Sequence, residues 1–336
     1  MYEFTKIQMS QLDENEYYDF ENKTVFTTLP WLQYLLEDNK GSQLILIRIT
    51  KNDKDFVGYF TGILIRKFGI RIIGSPFRGW STCYMGFDLK CADEKLAVLR
   101  ELKDYLFREY RCLYMEITDR DIKMEEAQKE YRVKIADTLE LRIDRTDEEL
   151  FSVFKTDCRN FIRQFERRGA VLEIAEPVDE FAEEYYSELI DVFAKQNLVP
   201  TYSLDKVKSL LKSLRDSGEV LCLRVRDPEG KIIASSIYPG YNKKFFFWGG
   251  ASLRPYQKYR PNEYMIWKAI QYWRERGVEV FDMVGVRDYK KKFGSHYEEY
   301  PCIIITRYKG LILLRDMAEK FYFAWDKVKG KILGRK

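Results

Sequence analysis

Residues 244–294 read KFFFWGGASLRPYQKYRPNEYMIWKAIQYWRERGVEVFDMVGVRDYKKKFG, and this stretch decides the fold. The apolar run at 244–250 predicts a buried strand that ends in paired glycines. The spacing of apolar residues at 262–276 predicts a helix, and VEVFDMV at 278–284 predicts a second strand. A basic and aromatic loop joins the first strand to the helix.

The helix and the second strand have a counterpart in the first half of the chain. LFREYRCLYMEI at 106–117 aligns with YWRERGVEVFDM at 272–283, an offset of 272 − 106 = 166 residues in a chain of 336. The larger order of elements also recurs, with helices, antiparallel strands, and then a helix that leads into a strand. The repeat predicts two copies of one α/β unit.

The composition indicates an ordered chain of two domains. With 336 residues, of which 46% are hydrophobic and 33% are charged, the chain is too apolar for disorder and long enough for two cores. The formal net charge is only +4. Because no general basic field follows from it, we expect any anion site to be a local patch, and we expect no DNA partner.

The cysteines and the single histidine limit the chemistry. The six cysteines form no CxxC pair, which indicates reduced thiols. His296 is the one histidine, so a His-rich metal site is excluded and we predict no metal. No apolar run reaches the ~20 residues that span a bilayer, and the acidic first residues are not typical of a signal peptide. We therefore predict a cytoplasmic protein.

A row of positive charge is predicted on one helix of the second half. Thr146 and Glu149 have the spacing of a capping box, so we predict a helix from Thr146 to Gly169. Four cations recur in this helix at steps of four residues: Lys155, Arg159, Arg163 and Arg167. The spacing aligns them on one face, opposite an apolar stripe. The row is either an anion-binding surface or a solvated helix face.

Gly249, Gly250 and the loop that follows them form a candidate ligand site. Paired glycines at a strand end leave backbone N–H groups open to a ligand. The loop at 254–260 is basic and aromatic, and the N-terminus of the helix that begins at 261–263 can bind an anion. An ordinary sheet edge and loop are the alternative interpretation.

Taken in order, these motifs resemble the Fem-type (FemAB-like) branch of the GNAT N-acyltransferase superfamily. The resemblance rests on three segments: Gly249-Gly250-Ala251 with Tyr259-Arg260-Pro261, Phe281-Asp282-Met283-Val284-Gly285, and Tyr289-Lys290-Lys291-Lys292-Phe293-Gly294, which is similar to the family's FKxxFG ending. It covers roughly residues 25–305. It implies an α+β fold of two tandem GNAT-like mixed-sheet units with flanking helices, the acyl-CoA N-acyltransferase fold. The implied parts are an N-terminal unit at 1–145, a C-terminal unit with the active site at 146–307, and an amphipathic basic helix at 308–336.

The resemblance also implies roles for single residues. Lys290 matches the lysine of the FK motif and is expected to stabilise the oxyanion of acyl transfer, with Lys291 and Lys292 as alternatives. Three acids are candidates for the general base: Asp282, Asp288 and Glu263. The expected binding residues are Gly249, Gly250, Lys258, Arg260 and Asn262 for the donor, and Lys155, Arg159 and Arg163 for phosphates of the acceptor.

The leading functional hypothesis is an N-acyltransferase that takes its acyl group from acyl-CoA. Its acceptor is an amine of a cell-envelope or polysaccharide precursor, such as a nucleotide-linked or lipid-linked amino sugar. The first alternative is an aminoacyl-tRNA-dependent transferase that adds an amino acid to a peptidoglycan precursor. The second is a degenerate GNAT pair that only binds.

Two further expectations concern the donor and the membrane. The residues after Trp31 and the segment 196–202 lack the cations that peptide-bridge members of the family use for substrate phosphates, which counts against a peptidoglycan precursor. The stretch from Gly285 to Lys290 is short, as in CoA-type acyltransferases, and acyl-CoA therefore ranks above tRNA as the expected donor. We expect no bound cofactor, since the donor is a co-substrate. The basic helix at 308–336 indicates peripheral contact with the inner face of the cell membrane.

Overall fold

The computed structural model describes residues 1–52, 55–67, 69–308 and 310 of the chain. The described residues form fourteen strands. The strands are β1 Tyr2–Lys6, β2 Gln43–Lys51, β3 Asp55–Lys67, β4 Ile70–Ser75, β5 Gly86–Leu89, β6 Tyr114–Thr118, β7 Arg132–Arg142, β8 Val171–Ala175, β9 Val220–Arg226, β10 Ile232–Tyr241, β11 Lys244–Phe246, β12 Gly249–Ser252, β13 Val280–Asp282 and β14 His296–Thr306. The helices are α1 Glu14–Tyr18, α2 Leu29–Asp38, α3 Lys95–Glu109, α4 Met124–Glu130, α5 Asp147–Val153, α6 Thr156–Arg167, α7 Asp179–Ala194, α8 Leu204–Leu214 and α9 Pro261–Arg274. The mixed sheet with flanking helices confirms the predicted fold class.

The strands join in one sheet whose main path runs β1-β2-β3-β4-β6-β14-β7-β13-β11-β10-β9-β8, with β5 beside β3 and β12 beside β10. Two neighbouring pairs are parallel, β4 with β6 and β11 with β13, and the other pairs are antiparallel. A parallel pair needs a crossover connection, and α3 and α9 supply the two crossovers. Tyr114 and Val280, which are 280 − 114 = 166 residues apart, begin the second strand of each parallel pair. The offset found in the sequence is therefore a structural repeat.

The two halves of the chain exchange strands at the centre of the sheet. Strand β14 lies between β6 and β7, and β7 in turn lies between β14 and β13. One hydrophobic core also draws on both halves, since the Phe26 and Phe246 rings lie 4.3 Å apart there. The predicted boundary at 145/146 stays a prediction, and the central strand pairs join residues from both sides of it.

The basic helix predicted from Thr146 to Gly169 is wrong as a single helix. The Thr146–Glu149 capping box is present, but α5 ends at Val153 and α6 begins at Thr156. The helix is interrupted at residues 154–155 because the Phe154 ring is buried against Trp267 and Phe293.

The predicted amphipathic helix at 308–336 lies outside the described residues, apart from Tyr308 and Gly310. Among the helices that are described, none combines the length and the apolar character needed to cross a membrane.

Candidate active site

The parallel strands β11 and β13 part at their carboxyl ends. Pairing continues as far as the Phe247 N–H, which donates to the carbonyl of Asp282 at 2.9 Å. The Trp248 N–H already donates to Ile237 of β10 at 3.1 Å, and β12 then pairs with β10 alone. The single strand predicted at 244–250 is therefore two strands, and the site lies where they separate. Crevices outside the carboxyl ends of parallel strands are common ligand sites.

Lys290 places a buried cation at the end of β13. Its side chain is only 5% exposed, and its Nζ donates to the carbonyls of Met283 at 2.5 Å and Val284 at 2.8 Å, with a longer contact of 3.5 Å to Gly285. Val284 has a φ of +54°, which is unusual for a β-branched residue and marks a constrained turn. Burial lowers the pKa of Lys290 to about 8. The Lys290 ammonium therefore loses its proton more easily than an ordinary lysine does, and consecutive backbone carbonyls hold it in place.

Asp282 lies directly beside this turn and is fully buried. Its Oδ1 accepts hydrogen bonds from the Thr138 hydroxyl at 2.6 Å and the Val284 N–H at 2.8 Å. Its Oδ2 has no partner among the described residues. Burial raises the pKa of Asp282, and the charges of Arg120 and Lys290 oppose this rise. The structure thus brings together two of the three predicted catalytic residues, Lys290 and Asp282.

Sequence reasoning missed a second acid at this site, Glu140 of β7. It stands opposite Asp282 in the β7–β13 pairing and is 4% exposed. It accepts hydrogen bonds from Arg120 at 2.5 Å and from Lys244 at 2.7 Å. Burial and the neighbouring charge of Asp282 raise its pKa. The available signal was the alternation in TLELR at 138–142, where Leu139 and Leu141 are buried in a core and the alternate residues Thr138 and Glu140 face the site.

The remaining acid candidates lie elsewhere. The carboxylate of Asp288 is exposed and pairs with Lys291 at 2.9 Å. Glu263 pairs with Lys292 at 2.5 Å. The structure therefore does not bring Asp288 or Glu263 to the buried carboxylate of Asp282.

Gly249 and Gly250 are required by packing, a reason that sequence reasoning did not foresee. A Cβ on Gly249 would lie 2.3 Å from the Tyr185 hydroxyl, which is itself hydrogen-bonded to the Tyr202 hydroxyl at 2.5 Å. A Cβ on Gly250 would lie 2.9 Å from the ring of Phe247. Both glycines therefore let aromatic side chains approach β12.

The other predicted donor residues surround the start of α9. Arg260 has a φ of +59°, and its guanidinium carbon lies 3.9 Å from the centre of the Phe161 ring on α6. Asn262 donates to the Ser252 hydroxyl at 2.9 Å. Lys258 is exposed, with its ammonium 5.0 Å from the Tyr259 ring. Arg260 thus joins the donor loop to the basic helix.

The predicted phosphate-binding row is only partly available. Lys155 is the N-cap of α6, where its N–H donates to the carbonyl of Lys292 at 2.8 Å, and its side chain is exposed. Arg159 donates to the carbonyls of Phe151 at 3.0 Å and Phe154 at 2.9 Å. The Arg159 guanidinium therefore caps the end of α5, and its predicted role in binding a diphosphate stays a prediction.

Arg163, like Lys155, is a predicted phosphate-binding residue whose side chain is exposed and makes no ion pair with the described residues. The guanidinium carbon of Arg163 lies 5.9 Å from the Phe151 ring.

Comparisons with known proteins agree with this geometry. The acetyltransferase (GNAT) domain family matches residues 152–292. Over 93 residues the chain is 28% identical to the lipid II:glycine glycyltransferase of Staphylococcus saprophyticus, a match that spans 28% of this chain and 22% of that protein. The chain thus matches about a fifth of the length of this curated relative.

The fold is also that of solved proteins. The crystal structure of FemX superposes with a TM-score of 0.71 at 15% identity, covering 90% of this chain and 97% of FemX. A conserved protein from Bacteroides thetaiotaomicron superposes with a TM-score of 0.55 at 13% identity, covering 90% and 100%. These findings show a GNAT domain match at residues 152–292, and they show that the chain is similar to a Fem-type protein in its fold, with the repeated crossover units, and to a glycyltransferase over 93 residues of its sequence.

Proposed function

We propose that the protein transfers an aminoacyl group from aminoacyl-tRNA to an amine of a lipid-linked peptidoglycan precursor. The observation that carries the proposal is the buried Lys290 ammonium at the point where β11 and β13 part. The similarity to a lipid II:glycine glycyltransferase supports this acceptor and ranks the aminoacyl donor above acyl-CoA, which reverses the order expected from sequence alone.

The chemistry uses Lys290 as the partner of the oxyanion. A neutral acceptor amine attacks the ester carbonyl carbon, the C–N bond forms, the C–O bond to the ribose breaks, and the ribose oxygen takes a proton. The Lys290 ammonium donates one hydrogen to the Met283 carbonyl and one to the Val284 carbonyl, at N–O distances of 2.5 and 2.8 Å. The third contact, to the Gly285 carbonyl, is longer at 3.5 Å. This third hydrogen is the one free to turn to an oxyanion. One such donor contributes about 10²–10³ in kcat.

Asp282 is our proposed proton acceptor. Its Oδ2 has no partner among the described residues, and burial raises its pKa, which favours proton acceptance. Asp288 is not part of this proposal, because its carboxylate is exposed and paired with Lys291.

We propose that the phosphates of the donor lie on the basic surface around α6. The exposed cations of this surface that make no ion pair with the described residues include Lys155, Arg163, Arg167, Arg168, Arg254, Lys258 and Arg287. The surface is mostly arginine, which contacts phosphate oxygens with two parallel hydrogen bonds. Because the proposed acceptor is lipid-linked, we propose that the protein acts at the inner face of the cell membrane.

Transfer assays with two donor classes test the proposal. The purified protein is incubated with lipid II and either tRNA charged with radiolabelled amino acids or labelled acyl-CoAs. We expect label on lipid II from charged tRNA only, and Lys290→Ala to lose turnover while tRNA binding persists. Transfer from acyl-CoA would contradict the proposal and favour acyl-CoA, the donor that the sequence analysis ranked first.

Acyl-CoA binding is measured in parallel by thermal stabilisation, where binding at 100 times the Kd adds about 2.7 kcal/mol. Stabilisation by an acyl-CoA would likewise favour that donor. Absence of transfer from every donor would leave a binding module.

A further inference from the structure

We propose that Thr138, which β7 contributes from the first half of the chain, is a positioning residue for Lys290. The inference rests on the proposed function, in which the Lys290 ammonium stabilises the oxyanion. Thr138 touches neither Lys290 nor any group assigned to substrate contact other than Asp282, so it acts through the turn at 282–285.

The Thr138 hydroxyl makes two hydrogen bonds that lock this turn. It donates to Oδ1 of Asp282 at 2.6 Å and accepts from the Gly285 N–H at 3.2 Å. The neighbouring carbonyl of Leu139 accepts from the Met283 N–H at 2.9 Å. A hydroxyl carries one hydrogen and can accept a second bond, so both of these capacities are used on the two ends of one turn.

The same turn supplies the three carbonyls that hold the ammonium of Lys290. Its central residue, Val284, has a φ of +54°, a conformation that persists only where the surroundings over-determine it. Thr138 is 1% exposed and Asp282 is fully buried, so water does not readily replace a lost partner. Fixing the turn therefore fixes the ammonium.

The charges around Lys290 make it sensitive to this turn. Two buried acids, Asp282 and Glu140, face two cations, Arg120 and Lys244, and Glu298 adds a further negative charge near Glu140. Lys290 is a fifth ionisable group of this cluster, and the charge of Asp282 acts on it. Its other charged neighbour is Arg287, and the groups Cys83, Tyr84 and Tyr300, which line the same cluster, are kept neutral by burial.

Asp282 links Thr138 to the proton of Lys290. The Thr138 hydrogen bond lowers the pKa of Asp282, and the negative charge of Asp282 in turn raises the pKa of Lys290. Loss of the Thr138 hydroxyl is therefore expected to neutralise Asp282 more readily and to weaken the hold of Lys290 on its proton.

The test compares Thr138→Val, which keeps the shape and removes the hydroxyl, with Thr138→Ser, which keeps the hydroxyl. The first readout needs no substrate: labelling of Lys290 by an amine-reactive reagent is followed by mass spectrometry as a function of pH. We expect the labelling midpoint to move to lower pH in Thr138→Val and to return in Thr138→Ser. An unchanged or higher midpoint in Thr138→Val overturns the proposal.

The second readout is transfer. We expect kcat of Thr138→Val to fall at least about tenfold with KM unchanged, because small misplacements of a catalytic group are costly. Thr118→Val removes a buried hydroxyl of β6, beside Cys302, and serves as the matched control with normal kcat. A Thr138→Val enzyme with wild-type kcat contradicts the positioning role.

The design distinguishes failure of the proposed function from failure of the positioning role of Thr138. A wild-type protein without transfer from any donor removes the proposed function, while the labelling midpoints still decide whether Thr138 holds Lys290. If Thr138→Val does not fold, Thr138→Ala replaces it and must show the same lowered midpoint.

Discussion

Replacing Lys290 by arginine is expected to change the pH profile of transfer in a specific way. Burial lowers the pKa of Lys290 to about 8, so about ten ammonium groups exist for each neutral amine at pH 7, and about one for ten at pH 9. Arginine stays protonated over this range. The charged form of the oxyanion partner is therefore lost above pH 8 in the wild type and kept in Lys290→Arg.

The acceptor amine has the opposite dependence. An alkyl amine with an ordinary pKa of about 10.4 gains tenfold in its neutral, attacking form for each pH unit. The product of the two fractions rises tenfold per unit up to pH 8 in the wild type and then stays flat. In Lys290→Arg the rise continues to about pH 10. The slope of log kcat against pH between 8 and 10 is thus about zero in the wild type and about one in the variant.

The assay is single-turnover transfer with saturating donor and acceptor, corrected for spontaneous hydrolysis of the donor ester at each pH. Lys290→Met is the control for lost charge, and we expect its kcat to fall by about 10²–10³ below pH 8, with a deficit that narrows above pH 8 as the wild type loses its own ammonium. A bend near pH 8 that persists in Lys290→Arg refutes the reasoning, because the titrating group would then lie elsewhere, for example in the Asp282–Glu140 pair. Direct labelling of wild-type Lys290 must show the same midpoint.

Three further predictions concern stability and are measured by urea unfolding. Arg159→Ala is expected to cost about 1–3 kcal/mol, since it leaves carbonyls at the end of α5 without a donor, whereas the exposed Arg163→Ala should stay within about 0.5 kcal/mol. Gly249→Ala is expected to cost about 1–3 kcal/mol by crowding the Tyr185 hydroxyl, and the added change Tyr185→Phe should recover part of this loss. Burial raises the pKa of Glu219 from 4.5 to about 7, so the folded state binds the extra proton and stability should fall by about 3 kcal/mol between pH 4.5 and 7. Glu219→Gln should remove that component, and equal pH slopes in both proteins would contradict the assignment.

The spacing of apolar residues predicted those helices and strands that bury one face in a hydrophobic core. The strand at 244–246, the helix α9 and the strand β13 all follow from apolar spacing in one stretch. The same stretch also located Lys290 and Asp282, although only the family resemblance gave them roles. A pattern within 51 residues, 294 − 244 + 1, was enough because each element buries an apolar face in a core, although α9 also packs on α6 and β13 also pairs with β7.

The parts that sequence reasoning missed depend on distant contacts. Strands β7 and β14 were not predicted, and both lie at the centre of the sheet, where each pairs with strands of the other half. The break between α5 and α6 depends on Phe154 packing against Trp267, a residue more than a hundred positions away. The apolar spacing of residues 146–169 carries no information about a contact with a residue so far along the chain.

The exchange of strands gives a physical reason for the two halves to remain one chain. The segment that matches the GNAT domain family, 152–292, contains Lys290 and Asp282 but neither Thr138 nor Glu140. In that segment alone, the edge of β13 that pairs with β7 would be open, and Asp282 would lose the hydroxyl that binds its Oδ1. The lysine of the second unit is therefore held in place by a strand of the first, and the site belongs to the pair of units.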